Sequence, residues 1–306
     1  MALTTYAELL TAIQDYQDDT GATITDRQAD WVVFAEQRMH YGAGVRGSPF
    51  YSPPLRIRAM ESTAIMPLQA CSDGGTSAGS ADAQTVTLSA APTAARGLTF
   101  KFVAGYSNTG AMTLNPNSVG AVAVKKGSSL VDLEANDITA GGTYAVFHDG
   151  TYYVLLPSPG AVPLPPRYLG MRSLYVQSTK FRPLEFMSGV QFNGMEAANT
   201  SGLPRAYTIE GDCIRLAPRT DTSYALICNY YRRFAALSTA LNDVYRNAPN
   251  IYLYGALLEA CLYLGDAENA MKWHGLFMSG CQGLVSSDQR DRYGSAPLQM
   301  RTDITP

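Results

Sequence analysis

Residues 69 to 161 contain no segment in which apolar side chains recur every three or four residues, the spacing that marks an amphipathic helix. Apolar and polar residues alternate there instead, which is typical of short strands with one buried face. Asp149-Gly150 lies between two such runs and favours a hairpin turn, because both residues tolerate a positive φ. The alternating runs include Leu98, Phe100 and Phe102, Val122 and Val124, and Tyr152, Val154 and Leu156. This stretch therefore predicts an inserted all-β, sandwich-like domain.

The segment before this block has helical periodicity. Thr5-Tyr6-Ala7-Glu8 has the spacing of a capping box, in which the first and last side chains satisfy each other's backbone amides. It predicts a helix from about Tyr6 to Tyr16. A second capping box at residues 25–28 predicts a helix that stops at Gly42-Ala43-Gly44. The N-terminus is thus expected to be a helical hairpin.

The segment after the block mixes strands with helices. Residues 207–216 predict a hairpin and residues 223–231 a third strand. A helix over residues 249–264 is apolar nearly all round, so it is expected to be buried or to lie in an interface. Asp266 is expected to cap a last helix that ends near residue 285.

Together these patterns predict an α+β protein. The flanking segments 1–68 and 162–285 combine helices with strands. Residues 69–161 form the inserted β domain in this division. Residues 286–306 have few large apolar side chains and are expected to be an extended C-terminal arm that a partner orders.

The composition indicates a folded protein without specificity for nucleic acid. Charged residues make up only 16% of the 306 residues, which suggests that much of the surface meets protein. The formal net charge is −3, and no run of five Lys or Arg residues occurs. The run Tyr230-Tyr231-Arg232-Arg233 could stack bases or grip phosphates, but a strand end with its arginines in solvent or in a subunit contact is the favoured interpretation.

The five cysteines form no Cys-x-x-Cys pair, so they are expected to be reduced core residues. The N-terminus lacks the basic start and apolar run of a signal peptide. No stretch approaches the length of apolar sequence that a membrane span needs. The protein is therefore expected to fold in a cytoplasm.

Candidate catalytic and metal-binding residues are few. Three histidines leave little scope for a nucleophile and its base, and their spacing suggests neither a metal nor a cofactor. His274 lies on the apolar stripe of the last helix and is expected to be a core or interface residue, whereas His40 and His148 are expected at ordinary solvent positions. Asp18-Asp19 could supply paired carboxylates for glycoside hydrolysis, but a solvated helix end is the favoured interpretation. We therefore expect a protein that is not an enzyme.

Short motifs follow one another in order along the two flanking segments. They include Thr5-Tyr6-Ala7-Glu8-Leu9-Leu10, Ala35-Glu36-Gln37-Arg38-Met39, Met60-Glu61-Ser62-Thr63-Ala64, Leu164-Pro165-Pro166-Arg167-Tyr168-Leu169-Gly170, Tyr207-Thr208-Ile209-Glu210-Gly211, Leu253-Tyr254-Gly255-Ala256-Leu257-Leu258 and Leu298-Gln299-Met300-Arg301-Thr302-Asp303. This series resembles the head-to-tail adaptor family of short-tailed and some long-tailed bacteriophages. The resemblance covers about residues 1–68 and 162–306, and the order of the motifs makes it specific.

The resemblance implies a structural subunit of a phage virion. It also implies an adaptor core that is mainly helical with a small antiparallel β element, formed by the discontinuous segments 1–68 and 162–285. Members of this family are expected to form a dodecameric ring between the portal protein and the tail nozzle protein, lining a channel through which genomic DNA passes without specific binding. The subunit would be assembled in the host bacterial cytoplasm and reside at the head-tail interface. We expect it to be monomeric until it meets the portal, and no membrane contact is implied.

The resemblance also implies which residues make contacts. The expected portal contacts are Arg292, Tyr293, Leu298, Met300 and Arg301. The expected ring or core interface residues are Tyr254, Leu258, His274 and Phe277.

Residues 69–161 depart from the family pattern. The runs 108–115, 140–144 and 148–153 resemble small β modules of phage tail-fibre and other virion proteins. Such a module would face outward and dock fibres, cover the capsid vertex or touch sugar. The alternative hypothesis is therefore a carbohydrate-binding adhesin module on a virion scaffold.

Overall fold

The computed structural model describes residues 3–17, 21–68, 71–89, 96–157, 160–178, 181–196 and 201–293. These residues form seven α-helices, one short 3-10 helix and seventeen strands. In chain order they are α1 (Tyr6–Gln17), α2 (Ala22–Thr25), α3 (Gln28–Tyr41), the 3-10 helix (Arg58–Met60), β1 (Glu61–Leu68), β2 (Ser72–Thr76), β3 (Ala78–Ser80), β4 (Ala83–Val86), β5 (Thr99–Val103), β6 (Thr113–Pro116), β7 (Val122–Lys126), β8 (Val131–Asp132), β9 (Thr143–His148), β10 (Tyr153–Leu156), β11 (Val162–Pro163), β12 (Tyr168–Gln177), β13 (Phe181–Pro183), β14 (Glu185–Phe186), α4 (Gly189–Glu196), β15 (Ala206–Glu210), β16 (Cys213–Ala217), β17 (Tyr224–Arg232), α5 (Asp243–Asn247), α6 (Pro249–Leu264) and α7 (Ala267–Tyr293). The chain forms two compact units, a helical unit of Met1–Glu61 and Arg233–Pro306 and a β unit of Ser62–Arg232.

The prediction of a mainly helical core is wrong, because the chain is mostly β. The described residues between 162 and 232, which that prediction assigned to the core, form β11 to β17 and one helix, α4. In the antiparallel pair β12–β17, buried Val176 lies opposite buried Leu226. The two strands are about 50 residues apart in sequence, so each gains its buried face from a distant partner. That gain has no local signal in the sequence.

Three sheets make up the β unit in the residues that the structure describes. Two are four-stranded, with the orders β1-β17-β12-β13 and β11-β16-β15-β14, and the third is nine-stranded, with the order β2-β5-β9-β10-β7-β6-β4-β3 and β8 beside β7. The hairpin predicted over residues 207–216 is confirmed, since β15 and β16 pair antiparallel. Strands on both sides of residues 69 and 161 belong to this one unit, so the predicted limits of the insertion stay a prediction.

The nine-stranded sheet curls until its two ends approach each other. A Cβ added to Gly74 in β2 would lie only 2.2 Å from Cγ1 of Val86 in β4, near the opposite end of the strand order. Phe100, Phe102 and Tyr153 fill the enclosed space and are fully buried. The predicted β composition of this segment is observed, but its arrangement is a nearly closed, barrel-like sheet rather than a sandwich.

The hairpin predicted at Asp149-Gly150 is confirmed. β9 and β10 pair antiparallel on either side of it, and Gly150 has a φ of +114°. Oδ1 of Asp149 accepts hydrogen bonds from the amides of Thr151 and Tyr152, each at 2.7 Å. The carboxylate therefore closes a loop that is longer than the two-residue turn typical of this dipeptide.

Helix α6 is the centre of the helical unit, as its apolar sequence predicts. It packs against α1, α3, α5 and α7, and Ile251 and Leu257 are fully buried. The close approach of its neighbours depends on Gly255, where an added Cβ would lie 2.9 Å from Cβ of Ala35 in α3 and 3.2 Å from the Phe277 ring in α7.

Two of the three predicted helix caps are confirmed. Glu8 accepts from the amide of Thr5 at 3.0 Å, and the amide of Glu8 donates to Oγ1 of Thr5 at 3.2 Å. Asp266 accepts from the amide of Asn269 at 3.1 Å. The capping box at residues 25–28 is wrong, because Thr25 ends the one-turn helix α2 and its hydroxyl donates to a backbone carbonyl of that turn.

Helix α7 is longer than predicted. It runs from Ala267 to Tyr293, so the prediction of an extended arm from residue 286 is wrong for residues 286–293. An ion pair between Nε of Arg292 and Oδ2 of Asp288, at 3.0 Å, spans one helical turn and supports this end of the helix. Residues 294–306, the rest of the predicted arm, lie outside the described residues.

The prediction that His40 and His148 occupy solvent positions is wrong. Their exposed fractions are 6% and 3%. Nε2 of His40 accepts from the amide of Phe234 at 3.1 Å, and Nδ1 of His148 accepts from an amide of its own hairpin turn at 3.2 Å. Burial lowers the pKa of His40 to about 4, and the nearby charges of Arg233 and Arg56 act in the same direction.

Gly255→Ala is expected to lower the free energy of unfolding by about 1–3 kcal/mol, because the added methyl group would push α3 away from α6. Gly275 of α7 is the matched control, since nothing lies within 4 Å of a Cβ added there. Gly275→Ala is expected to raise the free energy of unfolding by about 0.5–1 kcal/mol through helix propensity. Urea unfolding of both variants measures the difference, and equal effects would contradict the tight contact at Gly255.

The depressed pKa of His40 predicts a loss of stability in mild acid. Because the folded-state pKa of about 4 lies below the ordinary value of 6.5, the stability from neutral His40 is complete above pH 6.5 and is lost as the pH falls toward 4. Between pH 7 and pH 5, the free energy of unfolding of the unmodified chain is expected to fall by about 1–2 kcal/mol more than that of His40→Gln. The glutamine oxygen can accept the Phe234 amide without titrating. Parallel pH profiles from chemical denaturation of the two chains would exclude His40 as the titrating group.

Candidate functional site

The residues predicted to contact other subunits or the portal lie, where the structure describes them, on helix α7 or on the helix beside it. His274, Phe277 and Arg292 lie on α7, and Tyr254 and Leu258 lie on the neighbouring helix α6. With 27 residues, α7 is about 40 Å long. The candidate site therefore extends along α7, from its buried middle to its C-terminal end.

The middle of α7 faces the core of the helical unit. Leu258 and Phe277 are fully buried, so within one subunit they are core residues. Tyr254 stacks on Trp273, with ring centroids 5.9 Å apart, and remains partly exposed. A role of these residues between subunits stays a prediction, for which Tyr254 offers the accessible surface.

His274 holds the loop that follows α3. Its Nε2 lies 3.1 Å from the carbonyl oxygen of Tyr51 and 3.2 Å from Oγ of Ser52, and its ring meets that of Phe50 edge-on. Since a carbonyl oxygen only accepts, Nε2 carries the proton in this contact. Burial lowers the pKa of His274, and the charge of Arg38 acts in the same direction. The ring is therefore neutral at pH 7.

Arg38 of α3 anchors the same loop. Its Nε donates to Oε1 of Glu259 in α6 at 2.7 Å, and its Nη1 donates to the carbonyl of Phe50 at 3.1 Å and to Oγ of Ser52 at 3.4 Å. The side chains of Arg38 and Glu259 are only 8% and 15% exposed. Because an unpaired charge at such a position is costly, the pair fixes the relative positions of α3, α6 and residues 50–52.

Five charged side chains form a network at the C-terminal end of α7. Arg292 pairs with both Asp288 and Glu61. Arg58 lies 3.9 Å from the same Asp288 and 3.4 Å from Asp291. The guanidinium of Arg292, a predicted portal contact, is thus already engaged within the subunit. Any contact that it makes with a partner would have to use its remaining donors or replace these pairs.

Two grooves lie beside α7. One, of about 390 Å³, combines apolar and acidic side chains. Its lining includes Ile57, Leu284, Asp243, Asp288 and Asp291. The other, of about 430 Å³, is mostly apolar and lies between residues 53–56 and residues 278–286. Both grooves border the part of α7 that leads to the predicted arm.

Sequence reasoning did not single out Arg38, Glu259, Arg58 or Glu61 as functional residues. For Arg38 a signal exists, because it lies three residues after buried Ala35 and thus on the inward side of α3. A charge in that position requires a buried partner. Arg58 and Glu61 lie at the 3-10 helix and the start of β1, where no periodicity indicates burial. Tyr293's side chain and residues Leu298, Met300 and Arg301 lie outside the described part of the chain.

The described residues give little support for a metal site or a membrane-spanning helix. Among them, no group of three or more His, Cys, Asp or Glu side chains is arranged to hold a metal ion. No helix in this part of the chain is long and apolar enough to cross a membrane. In the run from Tyr230 to Arg233, β17 ends at Arg232, and the Arg172 guanidinium lies over the Tyr231 ring at 5.6 Å. Asp18 and Asp19 lie outside the described residues.

Comparison with known families gives one match. A family model described as SU10 adaptor protein matches residues 135–301, which is more than half of the chain. A search of curated proteins finds no match. The family match includes the C-terminal part of the predicted adaptor segments and begins inside the predicted insertion, at the loop before β9. It does not test the resemblance of residues 1–68, and the tail-fibre resemblance of the insertion is not confirmed.

The matched region contains β9 to β17, helices α4 to α7 and most of the segment beyond α7. It thus includes the part of the candidate site that α6 and α7 supply, but not Arg38, Arg58 or Glu61, and it includes only the strands of the β unit from β9 onward. Because the match covers more than half of its length, this chain belongs to the SU10 adaptor protein family and is a structural adaptor of a bacteriophage particle.

Proposed function

We propose that the chain is a head-to-tail adaptor that joins the portal protein to the tail nozzle protein of a phage. The observation that carries this proposal is the family match, which runs through α6 and α7 to Arg301. The adaptor is located in the virion, at the junction of head and tail, after folding in the host cytoplasm. It acts by burying surface against its partners and has no catalytic role.

Subunits are arranged in a ring, which we propose to be a dodecamer by resemblance to the family. In a ring, one contact is repeated between all neighbours, so a small interface is multiplied by symmetry. Genomic DNA passes through the central channel. The net charge of −3 disfavours tight binding of phosphates, so the polymer can slide.

The portal is contacted by the C-terminal arm and the end of α7. The arm begins after Tyr293, where the helix ends. The ion pairs of Arg292 with Asp288 and Glu61 hold that end in one position, which lowers the cost of presenting the arm to a partner. The two grooves beside α7 offer concave surface for a partner's side chains.

The barrel-like sheet faces outward and contacts a tail fibre or the capsid. Exposed apolar side chains on this sheet and its loops support a contact role. They are Tyr106, Val119 and Val131.

A structural rather than a catalytic role is supported by the state of the histidines. His40 and His148 each use one ring nitrogen to accept a backbone amide, and His274 uses one to bind the Tyr51 carbonyl. These contacts hold backbone in place, which is a structural task. A general base would need a nitrogen directed at a nucleophile.

The proposal is tested with the full chain and the portal ring of the same virus. At low protein concentration, light scattering is expected to give the mass of a monomer for the chain alone and of a much larger complex after mixing with the portal. A chain truncated after Tyr293 is expected not to join the portal, because it lacks the arm but keeps Asp288 and Arg292 and therefore the ion-paired helix end.

The matched control is a full-length chain in which the order of residues 294–306 is scrambled. It preserves the length and charge of the arm and is expected to fail like the truncated chain. Binding by all three chains would exclude the arm from the contact, and no complex with the unmodified chain would refute the adaptor function itself.

A further inference from the structure

Residues 42–53, here called the finger loop, have a fixed conformation. The amide of each of Ala43 and Ser52 donates to the carbonyl of the other, at 2.9 Å, so the two sides of the loop are paired at its base. At the tip, the amide of Ser48 donates to the carbonyl of Val45 at 2.9 Å. Gly47 has a φ of +96°, which suits the third position of a type II turn and disfavours other residues there.

The base of the finger loop is held by buried charge. Arg38 donates to the carbonyl of Phe50 and is paired with Glu259, while His274 binds the carbonyl of Tyr51. A loop of this length loses conformational entropy when it is ordered. The contacts at the base offset part of that cost, and their effect is to hold the tip in one orientation.

The tip itself makes no such contacts. Val45 is 78% exposed, and Arg46 is exposed without an ion-pair partner among the described residues. The sequence contains no Asp or Glu between Glu36 and Glu61. The finger loop is thus a preorganised element that presents one apolar and one cationic side chain, and it fits a partner surface that is apolar with carboxylates around it.

The helical unit has a surface of that chemistry. The C-terminal end of α1 lies beside that of α6 and the start of α7, as shown by the contacts of Gln17 with Cys261 and of Tyr16 with Trp273. Four large apolar side chains with exposed fractions between 48% and 61% lie at this end, which we call the apolar end. They are Tyr16, Tyr263, Leu264 and Met271.

The apolar end carries carboxylates and one lysine, Lys272, whose Nζ lies over the Trp273 ring at 4.9 Å. Asp15 is next to Tyr16 on α1, and Glu268 lies in the first turn of α7. Both are exposed, and neither has an ion-pair partner among the residues that the structure describes. Exposed apolar surface bordered by unpaired charge is typical of an interaction site.

We infer that the finger loop of one copy of the chain docks on the apolar end of a second copy, with Val45 against the apolar side chains and Arg46 between Asp15 and Glu268. The contact joins two different surfaces of the same unit, so repetition of it builds a ring or an open chain rather than a closed pair. This inference rests on the proposed ring function and identifies one contact between its neighbouring subunits.

Charge reversal tests the contact in the full chain without the portal. Sedimentation at increasing concentration is expected to show self-association that weakens with salt and is about tenfold weaker for Arg46→Glu. Adding Glu268→Arg to that variant is expected to restore association, because the two charges are exchanged. Arg205→Glu, an exposed charge reversal on the β unit, is the matched control and is expected to leave association unchanged.

A photoreactive residue at position 45 locates the partner surface, both in the chain alone and in its complex with the portal. A crosslink to residues 263–271 of a second copy would support the inference. Crosslinks only to the portal or to another part of the second copy, or no crosslink in either sample, would overturn it. Arg46→Glu chains that join the portal with the same number of copies as the unmodified chain would also overturn it while leaving the adaptor function intact. Failure of the unmodified chain to bind the portal would instead count against the adaptor function.

Discussion

The helical unit depends on the burial of α6, a helix that has no polar face to expose. Its neighbours must cover it along most of its length, up to the exposed Tyr263 and Leu264 at its C-terminal end, which explains why α1, α3, α5 and α7 all pack against it. Gly255 sets the distance to α3 and α7, and Gly280 of α7 sets the distance at Ile251, where an added Cβ would lie 2.8 Å from Cγ1. Hydrophobic burial thus determines which helices are neighbours, and two glycines determine how closely they lie.

Polar side chains on the inward face of helix α3 hold two irregular segments of the chain in position. Glu36 accepts from the amide of Leu237 at 2.8 Å, and burial raises the pKa of its carboxyl group. His40 accepts from the amide of Phe234, and Arg38 donates to the carbonyl of Phe50. Each bond satisfies a backbone group in a segment without regular structure, where an unmet group would cost about 1–3 kcal/mol. The same helix that covers α6 therefore shapes the two irregular segments beside it.

Elements that depend on residues close in sequence are mostly predicted correctly, whereas elements that depend on contacts between distant segments are not. The hairpin at Asp149, the first helix cap and α6 depend on residues close in sequence, and all three are predictable. In the nine-stranded sheet, three strand pairs are parallel, namely β2–β5, β4–β6 and β7–β10. Parallel pairing joins strands that are separated by other elements, so the barrel-like closure has no short-range signal. The predicted sandwich fails for this reason.

The candidate site is predictable to a similar extent. The apolar stripe of α7 correctly places Phe277 on the buried side. The burial of His40 was not predictable, because the segment that covers it begins about 190 residues later. The ion pair between Arg292 and Glu61 was also not predictable, since the two residues are 231 positions apart in sequence. Polar contacts between segments so far apart leave no periodic pattern in either segment.

The ion pairs at the C-terminal end of α7 fix the position of the helix end more than they add to the stability of the fold. Exposed ion pairs typically stabilise a fold by about 0–1 kcal/mol each, and Arg58 and Asp291 are largely exposed. Together, however, these pairs tie the last turn of α7 to Arg58 in the 3-10 helix and to Glu61, the first residue of β1. A helix end that is free to fray has no single position, whereas a tied end gives the chain that follows Tyr293 one starting point. For the proposed portal contact, a fixed starting point for the chain after α7 matters more than the small stability that these pairs add.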